Sequence, residues 1–246
     1  MKNKTLLSFL SIGAISISGI TSVQASSSFS GSATIAITID SIINATNPDD
    51  NSGVEISGLF EMADSDSAPG VGETVTGDGY SSTEFAGGKN LSQTFSVMGN
   101  VNNGSVDSYY QTLGNLKFNN HSSDSYTVNF SMDYALETSV TGDFATNTVS
   151  LDYSSNSGDI GGFAEVSADS SLNLSEQMTD NISFTINLDG FQSDIFFADI
   201  AINGYAEASA VPLPAAGWLM LSALVFLRRF FQLNRRVSQK RCTEFS

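Results

Sequence analysis

Between residues 126 and 134 the chain places Tyr126, Val128, Phe130, Met132 and Tyr134 at alternate positions, with Thr127, Asn129, Ser131 and Asp133 between them. Successive side chains of a strand point to opposite faces, so this run has one apolar and one polar face when extended, and neither when coiled. It predicts a half-buried β-strand. The same period of two recurs at Ile35, Ile37 and Ile39; at Leu91, Phe95 and Val97; at Ile182, Phe184, Ile186 and Leu188; and at Phe196, Ala198, Ile200 and Ile202. Residues 149–153 and 164–168 also alternate, with Asp152 and Glu165 on the polar side. Between residues 26 and 210 no stretch of helical length carries a stripe at 3.6 residues. Turn clusters separate the runs, among them Gly77-Asp78-Gly79, Gly87-Gly88, Asn102-Asn103-Gly104, Ser157-Gly158-Asp159 and Asp189-Gly190. Two antiparallel sheets that each bury one face close this pattern, so the expected fold is all-β, a sandwich of roughly eight to ten strands. Residues 44–78 are rich in Asp, Ser, Gly and Pro and read as long loops around short strands at 54–60 and 71–75.

Charge is distributed as unevenly as hydrophobicity. Residues 26–210 hold 25 acids but only two bases, Lys89 and Lys117, a net charge of −23. An excess of that sign excludes nucleic acid and anionic membrane surfaces as partners, because both require a basic footprint. It favours solubility and attraction of cations. The single cysteine, Cys242, lies outside this segment, so no disulfide staples it and its fold rests on burial alone. At 185 residues that is attainable, since a domain of such size removes about two-thirds of its unfolded surface from water.

The remaining bases, Glu244 and the two most apolar stretches gather at the chain ends. Lys2 and Lys4 precede a mildly apolar run over residues 5–20, followed by Val23-Gln24-Ala25. These are the three parts of a secretory leader, with Val23 and Ala25 in the small-residue positions before cleavage. At the other end no residue from Val211 to Leu227 is charged. As a helix these 17 residues extend about 25 Å, a short membrane span that Arg228 and Arg229 lengthen by snorkelling. Arg228, Arg229, Arg235, Arg236, Lys240 and Arg241 keep the C-terminus cytoplasmic. The expected organisation is a signal peptide (1–25), an acidic ectodomain (26–210), a membrane segment (211–229) and a basic tail (230–246).

Val211-Pro212-Leu213-Pro214-Ala215-Ala216, then Trp218, an apolar run and the pair Arg228-Arg229 resemble the PEP-CTERM sorting signal. This chain has Leu213 where the commonest form has Glu, and it continues from Phe230 to Ser246 beyond the Arg pair. The resemblance implies export by a Gram-negative bacterium and recognition at the inner membrane by an exosortase-like transpeptidase. It further implies transfer to the cell surface or extracellular matrix, in association with exopolysaccharide and biofilm.

Catalytic motifs are scarce. His121, the only histidine, sits in the polar turn Asn119-Asn120-His121-Ser122-Ser123, and there is no Gly-x-Ser-x-Gly, His-Glu-x-x-His or phosphate-binding glycine loop. The expectation is a non-catalytic structural or interaction role without a cofactor; a carbohydrate-binding module and a secreted hydrolase are the alternatives. Tyr80, Tyr109, Tyr110 and Tyr205 are the residues available for stacking on sugars. Asp49, Asp50 and Glu55, and Asp64 with Asp66, are the candidates for calcium, as hard oxygen ligands in loops. Mass spectrometry of the exported protein should find Ser26 at the mature N-terminus; a chain still beginning at Met1 would refute the leader.

Overall fold

The computed structural model describes residues 26–67, 71–77, 80–81, 90–209 and 222–228. The chain divides into two units, Ala25–Ser209, and Met1–Gln24 together with Ala210–Ser246. The described part of the second unit is residues 222–228, a helix with every residue exposed. Among the described residues no helix is long and apolar enough to cross a membrane. The leader and most of the span expected between Val211 and Leu227 lie outside the described residues.

Eleven strands are described in the first unit: β1 (Ser27–Asn44), β2 (Val54–Ser67), β3 (Val71–Gly77), β4 (Tyr80–Ser81), β5 (Asn90–Val101), β6 (Gly104–Asn120), β7 (Tyr126–Thr141), β8 (Phe144–Ser155), β9 (Gly161–Asp169), β10 (Ser175–Leu188) and β11 (Ser193–Ala208). They form two sheets, ordered β10-β7-β1-β5-β3 and β4-β2-β6-β11-β8-β9, with every pairing antiparallel. Only the β8–β9 hairpin joins consecutive strands within one sheet; every other connection crosses to the opposite sheet. The expected alternation is borne out in β7, where the five apolar residues from Tyr126 to Tyr134 are all buried. The turn at Gly87-Gly88 lies outside the described residues.

Two features differ from the sequence expectation. Residues 44–78 are less loop-like than composition suggests, because β2 runs on for 14 residues, and Asp64-Ser65-Asp66 belongs to that strand and not to a loop. The bulged register of β1 between Ile39 and Ser41 is the other. Before it the odd-numbered residues Ile35, Ile37 and Ile39 point inward; after it Ile42 and Asn44 do. One extra residue shifts the phase of an alternating strand, so Ile42 is buried and Ile43 exposed.

The inward faces meet in an aromatic cluster. Phe130 of β7 lies 5.3 Å from Phe118 of β6 and 5.1 Å from Phe196 of β11, both in the opposite sheet, and 5.1 Å from Phe184 of its neighbour β10. Burying such a side chain stabilises by ~1.5–3 kcal/mol, and each aromatic pair adds ~0.5–1.5 kcal/mol. Near one end the sheets approach closely enough for glycine to be required: a Cβ on Gly204 would lie 2.1 Å from the Phe29 ring, and one on Gly99 2.4 Å from it. Phe29 of β1 thus fills a slot between β11 and β5 that alanine would close.

Residues 26–210 expressed alone should give a β-type circular dichroism spectrum. In urea, Phe130→Ala should lower their stability by ~3–5 kcal/mol, whereas Thr127→Ala, on the outward face of the same strand, should change it by less than ~1 kcal/mol.

Candidate functional site

Of the residues that the sequence marks for sorting, Val23, Ala25, Val211, Pro212, Leu213, Pro214, Ala215, Ala216 and Arg229 lie outside the described residues. Arg228 is described as an exposed residue at the end of the helix at 222–228. In sequence, β11 ends at Ala208, three positions before Val211.

The acidic loops at one end of the sheets are knitted by side chains. Asn44 donates from Nδ2 to Asp124 Oδ2 at 3.1 Å and accepts on Oδ1 from the backbone N–H groups of Thr46 and Asn47. Asn120 donates to the carbonyls of Asp124 and Asp189 and accepts from Ser122. Both asparagines are buried, as such loops require, because unpaired buried backbone groups are costly. His121 Nε2 stands 2.9 Å from Glu55 Oε2 with both side chains more than half exposed, an arrangement worth little in stability. Neighbouring Ser122 turns its hydroxyl to Asn120 Oδ1 at 3.0 Å, which does not build a serine nucleophile on His121.

Asp50 is committed in a similar way. Its Oδ1 accepts from Ser52 N at 3.0 Å and Ser52 Oγ at 2.7 Å, and these hydrogen bonds hold its pKa below the usual carboxylate value. Asp64 and Asp66 occupy alternate positions in β2 opposite Gln111 and Tyr109. Among the described residues no three acidic, histidine or cysteine side chains converge where a metal ion could sit.

The outward faces of the two sheets are chemically unlike. On the five-stranded sheet, β1 presents Ser28, Ser30, Ser32, Thr34, Ala36 and Thr38, while β5 presents Ser92, Thr94 and Ser96. Cross-strand hydrogen bonds join some of these groups and others on the same face, as in Ser28–Thr141 at 2.7 Å, Thr34–Thr94 at 3.0 Å and Thr127–Asn187 at 2.9 Å. Two shallow depressions along β7, of about 490 and 530 Å³, are lined by Ser30, Ser32 and Glu137 and by Thr34, Asp133 and Asn181.

The six-stranded sheet instead mixes apolar and acidic side chains with polar ones on its outside, Lys117 among them. One cross-strand row runs Glu61, Leu113, Asp199, Asp152 and Phe163. Asp199 Oδ1 is buried without a hydrogen-bond partner. Burial raises the pKa of Asp199, the charge of Asp152 raises it further, and a hydrogen bond from the Gly114 backbone opposes both. Nearer the β11 C-terminus the same face carries Tyr109, Tyr205 and Phe144. Tyr109 and Phe144 are exposed, and Tyr205 partly so. Sequence reasoning named the two tyrosines as separate candidates; what it missed is that strand register puts them on one face.

No family model and no curated protein matches this chain. Among solved structures it is weakly similar to the translocator domain of the autotransporter NalP from Neisseria meningitidis, at 8% identity and a TM-score of 0.18, covering 80% of this chain and 94% of that one. It is also weakly similar to a glycosyl hydrolase family 2 member from Bacteroides cellulosilyticus, at 9% identity and a TM-score of 0.12, covering 65% of this chain but 22% of that one. Neither likeness is strong enough to carry fold or function across.

Asp199 makes stability depend on pH. Its proton is held more tightly folded than unfolded, so the domain gains stability as pH falls from the raised pKa toward the ordinary 3.8 and lacks that gain above it. Asp199→Asn should therefore raise the melting temperature at pH 7, with the difference from wild type shrinking as the pH approaches 4; a variant less stable at pH 7 would contradict this.

Proposed function

We propose that this chain is an exported protein of the bacterial surface or extracellular matrix, sorted by an exosortase-like transpeptidase and acting there without catalysis. The observation that carries the reading is the order of parts. A compact β unit without cysteine ends at Ser209, and Val211-Pro212-Leu213-Pro214-Ala215-Ala216, an uncharged stretch and Arg228-Arg229 follow immediately. Pro212 and Pro214 have no N–H to give to a ladder or a helix, which supports an extended, accessible segment between the last strand and the membrane.

The leader ending at Ala25 sends the β unit outward, and the bases after Leu227 hold the C-terminus inside. In this topology the membrane is a station before release to the surface, and the apolar segment anchors the β unit only until the enzyme cuts. The excess of acid over the exported unit supports a protein that stays soluble after release. An association with exopolysaccharide is the partner expected from the family resemblance.

Deleting residues 211–246 should release the β unit as a soluble protein into the periplasm or medium. Arg228→Gln with Arg229→Gln leaves Arg235 and Arg236 to satisfy the charge bias, so anchoring should survive while processing fails and an uncleaved, membrane-bound precursor accumulates. An Arg-pair variant processed like wild type would overturn the sorting signal and leave a plain tail anchor.

A further inference from the structure

We propose that the outer face of the six-stranded sheet carries a platform for a neutral polysaccharide, built on Tyr109, Tyr205 and Phe144. The proposal rests on the surface reading above for where the ligand is met, and on geometry for what it is.

Tyr109 of β6 is paired with Asn203 of β11, two residues from Tyr205. The tyrosines are therefore diagonal neighbours across a strand pair, with Cα atoms roughly 7–8 Å apart. Each hydroxyl is tied to the second residue onward in its own strand: Tyr109 donates to Gln111 Oε1 at 2.7 Å, and Tyr205 to Glu207 Oε2 at 3.0 Å. Both side chains thus lean along their strands. Because β6 and β11 are antiparallel, they lean in opposite directions and the rings spread apart over the sheet. Phe144, paired with Glu207 from the other side, meets the Tyr205 ring edge-on, with centroids 5.8 Å apart and planes at 88°. The three rings form a long step, suited to a chain of sugar units better than to a single one.

The polar groups around the rings complete the match. Gln111 and Glu207 present acceptor oxygens already aligned by the tyrosines, and Asn203 lies between the rings. Hydroxyl groups are the donors that such a rim requires, and sugars bring hydroxyls around apolar C–H faces able to lie on an aromatic ring. Charge selects among glycans. With 25 acids and two lysines in the exported unit, an anionic polysaccharide or an anionic headgroup layer meets repulsion, whereas a neutral chain does not. Among the described residues the serine and threonine face of the opposite sheet carries no comparable rings, and two pairs of its hydroxyls, Ser28–Thr141 and Thr34–Thr94, bond each other.

Affinity electrophoresis of the purified full chain in mild detergent tests this, with hydroxyethylcellulose or galactomannan in the gel and alginate as the anionic control. Wild type should be retarded by a neutral polymer but not by alginate, and retardation should persist at about 1 M salt, where charge interactions are screened beyond about 3 Å. Tyr109→Ala, Tyr205→Ala and Phe144→Ala should each weaken it by about tenfold, with unchanged melting temperatures showing that the fold is intact. Tyr109→Phe and Tyr205→Phe retain the rings and should retain binding. The platform is overturned if both neutral polymers leave wild type unretarded or the three alanine variants together bind as well as wild type. It is equally overturned if Thr34→Lys with Thr94→Lys abolishes binding, or if vesicles of phosphatidylethanolamine and phosphatidylglycerol capture the chain through the same rings. Leader cleavage and the Arg-pair phenotype are read from the cell and do not depend on these rings, so the platform and the sorting reading can fail separately.

Discussion

The fold depends on one contact surface, the meeting of the two inward faces around Phe130. No disulfide stands behind it, and the surface around it works against compaction, since a net charge of −23 on residues 26–210 repels itself in any compact state. Acids are accordingly kept at the periphery. Among the described acids only Asp194 counts as buried, and its Oδ1 accepts from the backbone N–H groups of Ser157 and Ile195. Asp199 is the partial exception, set beside Asp152 on an outward face with one oxygen unpaired. The aromatic contacts across the sheets act at short range and without charge, so salt screens the surface charges and leaves these contacts untouched.

The crossing topology follows from that surface. When consecutive strands lie in opposite sheets, each strand pairs with partners distant in sequence: β1 with β5 and β7, and β11 with β6 and β8. Loop-closure entropy must be met before such pairings form, so this is a slowly folding topology. It also makes β1 central. Its 18 residues find both partners only after β5 and β7 exist, so the first strand of the chain waits for the seventh before it is paired on both sides. A chain that crosses a membrane before folding meets no conflict here, since little of this fold can form early.

Much of this was legible in the sequence, where apolar residues alternate cleanly. Tyr126 to Tyr134 and Phe196 to Ile202 were assigned both a conformation and an inward face, because a strand with one buried side has only one consistent phase. Strands with polar inward residues were less legible: Gln93 in β5 is buried between Leu91 and Phe95, which blurs the alternation there. The β1 bulge was hidden because Ile42 and Ile43 are both apolar, so composition alone does not reveal which one points inward. The aromatic platform was illegible for a different reason. Tyr109 and Tyr205 lie far apart in the chain, and their proximity is a property of register between β6 and β11, which depends on pairings that no local pattern encodes.

Strand β11 joins the two halves of the proposed role. It is held on both sides, by β6 along Ser193 to Ala208 and by β8 from Phe196 to Glu207, it carries Tyr205 outward, and its end is followed in sequence by Val211 and the proposed sorting segment. A pull on the C-terminus therefore runs along β11, perpendicular to the hydrogen bonds of both ladders. In that direction the bonds are loaded together in shear and cannot open one after another from an end. A strand at the sheet edge, such as β9, has a ladder on one side only, and a tether there would strain half as many bonds. In the proposed role, an attachment point on a doubly paired strand, with Phe196, Ile200 and Ile202 locked into the core beneath it, would let the same element bear the tether and present a ring of the platform.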